Sequence, residues 1–333
     1  MLSEVSVLPY IFRRILQFIP TFLLATLLAF FIVQLAPGDF LSQLKENPSV
    51  RPETVERLRK EFGLDQPIIV QYFYWLKNFV MGNLGQSFQY KRPVNEVLPG
   101  PFMNSLILVI IGTVLHFAVS IPVGVYSAVR PYSTADKTFT FLSYIFLGIP
   151  SFFFALLVIW GMLKLQQNFG WDMPLGNKTS SKLPTDISWW RSAWDVFIHA
   201  LAPTIILVLR GISSESRFIR GQLLEVLGQD YVRTARAKGV AENQVVYKHA
   251  LRTALIPTIA GLGGLLPALI GGAGFIEVVF NWPGLTPLQL TALGNQDIYI
   301  LQAVTAVATL LYLVGNLLSD VLLSVIDPRI RYH

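Results

Sequence analysis

The stretch "GQDYVRTARAKGVAEN", residues 228–243, lies between long apolar runs and combines basic side chains with alanines and two glycines. The ten residues between Gly228 and Gly239 correspond to about 15 Å of helix, too short to cross a bilayer. Helical spacing places one set of residues on a common face: Tyr231, Thr234, Ala235 and Lys238. We predict a short helix that Gly239 ends as a C-cap.

The rest of the chain has the composition of a membrane protein. Of its 333 residues, 53% are hydrophobic and 14% are charged, against roughly 45–50% and ~25% in soluble domains. The chain has no cysteine, which excludes disulfides, thiolate catalysis and cysteine-ligated zinc. Its net charge of +6 is interpreted as a determinant of membrane topology and not as a nucleic-acid footprint.

Six apolar runs are long enough to cross ~30 Å of hydrocarbon. The predicted spans are residues 15–35, 105–128, 139–163, 196–214, 254–280 and 300–326. The first run is longer than the apolar core of a signal peptide, and we interpret it as an uncleaved span. The sequence therefore predicts an all-α polytopic membrane protein with six transmembrane helices.

The positions of Lys and Arg predict that both termini and the segment 215–252 face the cytoplasm. In this orientation 13 basic residues lie inside, and the short outer segments 164–195 and 281–299 hold four. Cytoplasmic loops carry such an excess. The long outer loop 36–104 holds eight, but long loops are translocated largely regardless of charge.

The first outer loop is predicted to form a small helical extracytoplasmic subdomain. Its stretch "SVRPETVERLRKEFGLDQP", residues 49–67, places Val55, Leu58 and Phe62 at helical spacing. Pro48 and Pro52 mark the beginning of this subdomain, and Gly63 and Pro67 its end.

Residues alone leave two interpretations of the stretch 228–243. It is either a basic anchor that rests on anionic lipid or a surface bound by another protein. A lipid anchor is typically rich in Leu, Phe or Trp on its apolar face. The small side chains of Ala235 and Ala237 instead permit the close approach of a partner.

Several ordered motifs carry a resemblance over nearly the whole chain. They are "APGD" at 36–39, "FGLDQPIIVQYFYWL" at 62–76, "GNLGQS" at 82–87, "DYVRTARAKGVAENQVVYKHALRTALIPT" at 230–258 and "FIEVVFNWPGL" at 275–285. With them the chain resembles permease subunits of bacterial ATP-binding-cassette (ABC) importers, in the dipeptide, oligopeptide and nickel family. Some positions depart from the common pattern. Arg233 and Thr234 stand where the general importer motif has an acidic residue and alanine, Asn83 where an acidic residue is common, and Phe40 where proline is common. The departure at Arg233 and Thr234 is usual for the peptide branch of the family, and those at Asn83 and Phe40 bear on the solute and not on the fold.

The resemblance implies the type I importer permease fold and its domain plan. Residues 1–35 would be the N-terminal tail and first transmembrane helix, 36–101 the extracytoplasmic subdomain, 102–326 a core of five helices with a coupling segment at about 225–250, and 327–333 a cytoplasmic tail. The ATPase-coupling residues would be Tyr231, Arg233, Thr234, Ala235, Arg236, Ala237, Lys238 and Gly239.

The resemblance also implies the partners. They are a second homologous permease chain, two cytoplasmic ATPase subunits and an extracytoplasmic solute-binding protein, in the lipid of a bacterial inner membrane and with no nucleic acid. This chain would hold no cofactor, and ATP and Mg²⁺ would be bound by the ATPases. The solute stays open among dipeptides, longer peptides, glutathione, nickel chelates and sugar-like compounds.

The chain carries no motif for catalysis of its own. It has no G-x-x-x-x-G-K-[ST] phosphate loop, no H-E-x-x-H metal motif and no G-x-S-x-G elbow. We therefore expect no enzyme activity in this chain, with ATP hydrolysis in partner subunits. The alternatives are a stand-alone secondary transporter driven by an ion gradient, which would need paired acidic residues near the midplane, and an intramembrane enzyme.

Two ionisable residues within predicted spans are candidates for the translocation path, since charges inside a membrane are costly. Glu277 lies near the outer end of the fifth span and Arg210 near the inner end of the fourth. For Glu277 the alternative is hydrogen bonding at a helix end. For Arg210 the alternative is snorkelling to the interface.

The predicted topology can be tested in this cysteine-free chain by single introduced cysteines. We expect an impermeant thiol reagent added outside to label Ser180→Cys and to leave Gln244→Cys unlabelled. The opposite pattern would invert the topology.

Overall fold

The computed structural model describes residues 7–35, 52–61, 63–180, 187–262 and 273–326. Helices dominate this part of the chain, and its β-structure is limited to an isolated bridge between Gln86 and Pro93. In chain order the helices are α1 (Val7–Gln34), α2 (Pro52–Glu61), α3 (Ile68–Val80), α4 (Val94–Val97), α5 (Pro99–Val129), α6 (Thr134–Gly148), α7 (Ser151–Phe169), α8 (Trp189–Leu227), α9 (Asp230–Ala237), α10 (Glu242–Gln244), the π-helix Val245–Ala250, α11 (Leu251–Ala254), α12 (Ile256–Ala260), α13 (273–279), α14 (Leu285–Gly294) and α15 (Ile298–Ile326).

Five helical segments in the described part are long and apolar enough to cross a membrane: Phe12–Gln34, Val94–Val129, Ser151–Phe169, Trp189–Leu227 and Ile298–Val321. The first, second and last of them contain most of the predicted spans 15–35, 105–128 and 300–326. The predicted fifth span, 254–280, includes residues 263–272, which lie outside the described part. Its described residues are helical in α12 and α13.

The predicted third span, 139–163, is wrong as one continuous helix. The structure divides it at Ile149 and Pro150 into α6 and α7. Proline has no amide hydrogen to donate and disfavours helical backbone in the residue before it, and Ile149 is indeed extended, with φ −89° and ψ 126°. The segment that can cross the membrane is therefore shifted to Ser151–Phe169.

The fourth span is far longer than the predicted 196–214. Helix α8 has 39 residues, or about 58 Å of helix, which exceeds ~30 Å of hydrocarbon. The predicted span stops at Ser214, where the apolar run ends, and the polar end of α8 falls in the predicted cytoplasmic segment 215–252. The helix nevertheless continues, because apolar residues of that end, such as Ile219 and Leu223, are buried.

The described chain forms two compact units, and each is considered by itself. One consists of the described residues between 7 and 104 together with 283–313. In it, α3 packs on α1 through a cluster built around Phe30, Tyr72 and Trp75. The hydroxyl of Tyr72 lies 3.1 Å from Thr26 Oγ1 and donates to the carbonyl of Leu23 at 3.0 Å. The aromatic face of α3 is thus a packing face.

The "GNLGQS" motif at 82–87 belongs to the same unit and surrounds a buried carboxylate. The hydroxyl of Ser87 and the amide of Gln89 donate to Asp297 Oδ2 at 2.5 and 3.1 Å. Gly85 has φ +89°, and a Cβ at this position would overlap the ring of Tyr299. Only glycine satisfies both the backbone conformation and the close approach.

The second unit contains residues 105–282 and 314–326 of the described chain. It holds separate apolar clusters, one around Ala155, Ile206 and Phe280 and a larger one around Leu223 and Val232. Small residues allow its helices to approach closely. A Cβ on Gly124 of α5 would contact Ile219 of α8 at 2.8 Å.

We expect Gly85→Ala to destabilise its unit more than Gly82→Ala does. Gly82 also has positive φ, +79°, but open space around it, so alanine there should cost only the backbone strain of about 1–2 kcal/mol. At Gly85 the overlap with Tyr299 should add ~1–3 kcal/mol. Thermal unfolding of the two purified variants measures the difference, and equal midpoints would contradict the close approach.

Candidate functional site

Helix α9, Asp230–Ala237, confirms the short helix predicted from the sequence. It ends as predicted at Gly239, which has φ +79°. The amide of Gly239 donates to Arg236 O at 2.9 Å, and that of Val240 donates to Ala235 O at 3.3 Å. This pair of bonds is the Schellman arrangement, in which a left-handed glycine closes the helix end.

One side chain attaches α9 firmly to the rest of its unit. Val232 is fully buried, with 0% of its surface exposed. Its apolar cluster joins the last turns of α5 and α8 to the π-helix and α11; the other buried members are Val125, Ala128, Leu223, Val226, Val245, Val246, Ala250 and Ala254. Any displacement of α9 must therefore disturb the ends of two membrane-crossing helices.

The structure separates the predicted face of α9 into two parts. Ala235 is half-buried and packs against the cluster that holds Val232. The remaining predicted coupling residues are exposed: Tyr231, Arg233, Thr234, Arg236, Ala237, Lys238 and Gly239. Of the two alanines, only Ala237 is free to contact another molecule.

An ion pair joins α9 to α10. Arg236 donates to both carboxylate oxygens of Glu242, with Nε–Oε2 at 3.1 Å and Nη2–Oε1 at 2.7 Å. The hydrogen bond from Arg236 holds the pKa of Glu242 below its ordinary value, and the same bond raises the pKa of Arg236. Because both side chains are largely exposed, the pair orients the segment but adds little to stability.

A second ion pair, which the sequence analysis missed, lies nearby in the same unit. Arg220 of α8 donates to Asp136 of α6, with Nε–Oδ1 at 3.0 Å and Nη2–Oδ2 at 3.1 Å. Asp136 is buried and also accepts from the amide of Tyr132 at 2.8 Å. The two residues are 84 positions apart, so no local pattern could have identified them.

A π-helix, Val245–Ala250, follows α9 and α10. Val245, Val246 and Ala250 are buried in the cluster that holds Val232. Tyr231 Oη donates to Thr253 Oγ1 at 3.3 Å, so α11, which follows the π-helix, also contacts α9. π-Helical turns are rare in proteins overall, but those that occur are often found at functional sites.

Glu277 lies in α13 and is 1% exposed. The hydroxyl of Ser105, in α5, donates a short hydrogen bond to Glu277 Oε1. This burial favours the second role left open by the sequence, hydrogen bonding at a helix end.

Arg210 is exposed on α8. It lines a small crevice together with Ile149 and Ser151, where α6 gives way to α7. Glu277 is not among the residues that line this crevice. The described part of the structure therefore does not place the two translocation-path candidates, Glu277 and Arg210, in the same crevice. Within the described residues, no group of three or more His, Cys, Asp or Glu side chains is placed to hold a metal ion.

Long apolar helices, with a short basic helix packed against the ends of two of them, define an α-helical multi-pass membrane protein. The family "binding-protein-dependent transport system inner membrane component" matches residues 120–332, and the N-terminal component of the same systems matches residues 7–108. The chain belongs to this family and is the permease component of an ABC importer, with the type I permease fold. ATP hydrolysis is carried out by separate subunits.

Relatives are similar over nearly their whole length. The oligopeptide transport system permease protein AppB of Bacillus subtilis is 40% identical over 97% of this chain and 99% of its own. The oligopeptide permease protein OppB of Mycobacterium tuberculosis is 32% identical, over 97% and 98%. The glutathione permease protein GsiC of Salmonella typhi is 33% identical, over 98% and 99%. These findings do not support a stand-alone secondary transporter.

Glu277→Gln tests whether this position needs a charge. The amide keeps the shape and an acceptor for Ser105, so we expect transport per folded molecule to be unchanged if Glu277 only forms hydrogen bonds. Solute uptake by reconstituted transporter measures this, with Ser105→Ala as the control that removes the donor. Loss of uptake in Glu277→Gln, with normal assembly, would restore Glu277 to the translocation path.

Proposed function

We propose that this chain forms half of a pore for peptides or related small solutes, and that α9 couples the pore to a cytoplasmic ATPase. The named relatives serve oligopeptides and glutathione, which share a peptide backbone. Closure of the ATPases on ATP would move α9 and with it the membrane helices, so that the pore opens to alternate sides.

One observation carries the coupling role: α9 is held on one side and exposed on the other. Val232 anchors α9 in the cluster formed by the ends of α5 and α8, whereas Thr234 and Ala237 are exposed. A helix fixed in this way transmits its displacement to α5 and α8, because a close-packed interior moves as a unit.

The proposed coupling residues act in two ways. The exposed ones would contact the ATPase: Tyr231, Arg233, Thr234, Arg236, Ala237, Lys238 and Gly239. Ala235 would act indirectly, by allowing α9 to sit close to the cluster that holds Val232. Arg210 stays a proposed residue of the translocation path, next to the break between α6 and α7.

The assembly that we propose contains this chain, a second and different permease chain, two ATPases that bind ATP and Mg²⁺, and an extracytoplasmic solute-binding protein. It would lie in a bacterial inner membrane with both termini of this chain in the cytoplasm. The domain plan of residues 1–35, 36–101, 102–326 and 327–333 is proposed with it.

Ala237→Asp tests the coupling role at an exposed position. A carboxylate without a partner in a close-packed interface costs on the order of 2–5 kcal/mol, which weakens binding roughly 30-fold to several thousand-fold. We expect the ATPase to be lost on purification and transport to fall, while the chain still inserts, because position 237 lies outside every predicted span.

Ala237→Ser is the matched control, since serine stays small and uncharged. It should retain the ATPase. Ala235→Asp is a poorer test, because its charge would enter the chain's own apolar cluster. Normal ATPase binding and transport in Ala237→Asp would refute the coupling role and favour a lipid anchor.

A further inference from the structure

A cavity of about 400 Å³ lies within the unit of residues 6–104 and 283–313. Its volume falls in the range of small-ligand sites, ~300–1,000 Å³. The lining comes from Phe30 of α1, the end of α2, the turn that follows, one side of α3 and the beginning of α15. It combines aromatic rings with charged and amide side chains, as ligand sites do.

Two opposite charges line this cavity close together in the chain. Lys60 is in the last turn of α2, and Asp65 follows the turn at Gly63, which has φ +65°. The amide of Gly63 donates to Lys60 O at 3.1 Å and that of Leu64 to Arg59 O at 2.9 Å. This closed turn holds both residues at the cavity, yet no ion pair between Lys60 and Asp65 is found within the described residues.

Aromatic rings form part of the cavity wall. Trp75 of α3 is 4% exposed and packs with Phe30 and Tyr72 in one apolar cluster. Trp75, Tyr74 and Tyr299 line the cavity. Aromatic side chains are frequent in the linings of small-ligand sites.

We infer that this cavity binds a small zwitterionic solute that carries a free carboxylate and a free ammonium group. Lys60 binds the carboxylate, Asp65 binds the ammonium group, and the aromatic wall contacts the apolar part of the solute between them. A short peptide has this chemistry, and the choice of a peptide as the probe rests on the proposed function. The site itself rests on the cavity, the two charges and the aromatic wall.

The composition of α2 favours a dissolved solute over a zwitterionic lipid headgroup. The sequence of α2, "PETVERLRKE", is mostly charged, and a helix of this kind lies in water and not in lipid. The wall of the cavity that carries Lys60 is therefore accessible from the aqueous phase.

The test is direct binding of trialanine to the full chain in lipid nanodiscs, without ATPase or ATP, by isothermal titration calorimetry. We expect binding to the unmodified chain and at least about tenfold weaker binding to Lys60→Gln and to Asp65→Asn, since each loses a charge-assisted hydrogen bond. Arg57→Gln is the matched control, because it removes the same charge from the same helix without lining the cavity. Its affinity should equal that of the unmodified chain.

Blocked peptides assign each end of the solute. Trialanine amide has no carboxylate, so it should bind Lys60→Gln and the unmodified chain with equal affinity. N-acetyl-trialanine has no ammonium group, so it should bind Asp65→Asn and the unmodified chain with equal affinity.

The inference would be overturned if trialanine did not bind at millimolar concentration. It would also be overturned if Lys60→Gln and Asp65→Asn bound trialanine as tightly as the unmodified chain does. A phospholipid that stays bound in native mass spectra and that trialanine does not displace would be a third contrary result. Each is distinguishable from failure of the coupling role, because no ATPase is present in this measurement.

Discussion

The interior of a bilayer offers no water to backbone amides and carbonyls, so a chain that crosses it must satisfy these groups within its own helices. This constraint explains why the described part of the chain is helical and why its interruptions carry meaning. The break at Ile149 and Pro150 is one of them. The segments that carry exposed polar groups, such as α9, are short helices attached by side chains.

That attachment depends on a few buried aliphatic contacts. Val232 belongs to the same cluster as Val125 of α5, Leu223 of α8 and Val245 of the π-helix. The nearby pair of Asp136 and Arg220 ties α6 to α8 by two hydrogen bonds. A buried ion pair contributes more to defining one arrangement of helices than to net stability. Apolar packing and a specific pair together make this end of the unit rigid enough to transmit movement.

The other unit, which contains α1 and α3, is organised around a buried carboxylate. Asp297 is fully buried, and Ser87, 210 positions away, donates to it. The "GNLGQS" motif therefore has a structural explanation: Gly85 admits the ring of Tyr299, and Ser87 pairs with the carboxylate beside it. The same unit holds the cavity near Lys60 and Trp75, so a firmly packed scaffold carries a site of mixed charge.

The sequence by itself determined what depends on local pattern: the membrane class, most of the crossing helices, the helix α9 with its cap at Gly239, and the family. Hydrophobic runs, helical periodicity and glycine conformation depend on residues close together in the chain. They can therefore be recognised from a single sequence. Only the tertiary structure decided which side of α9 faces the core, so that Ala235 packs inward and Ala237 stays exposed. It also decided the burial of Glu277 beside Ser105 and the pairing of Asp136 with Arg220. These outcomes depend on contacts between residues far apart in the chain, and hydrophobic periodicity carries no information about such partners.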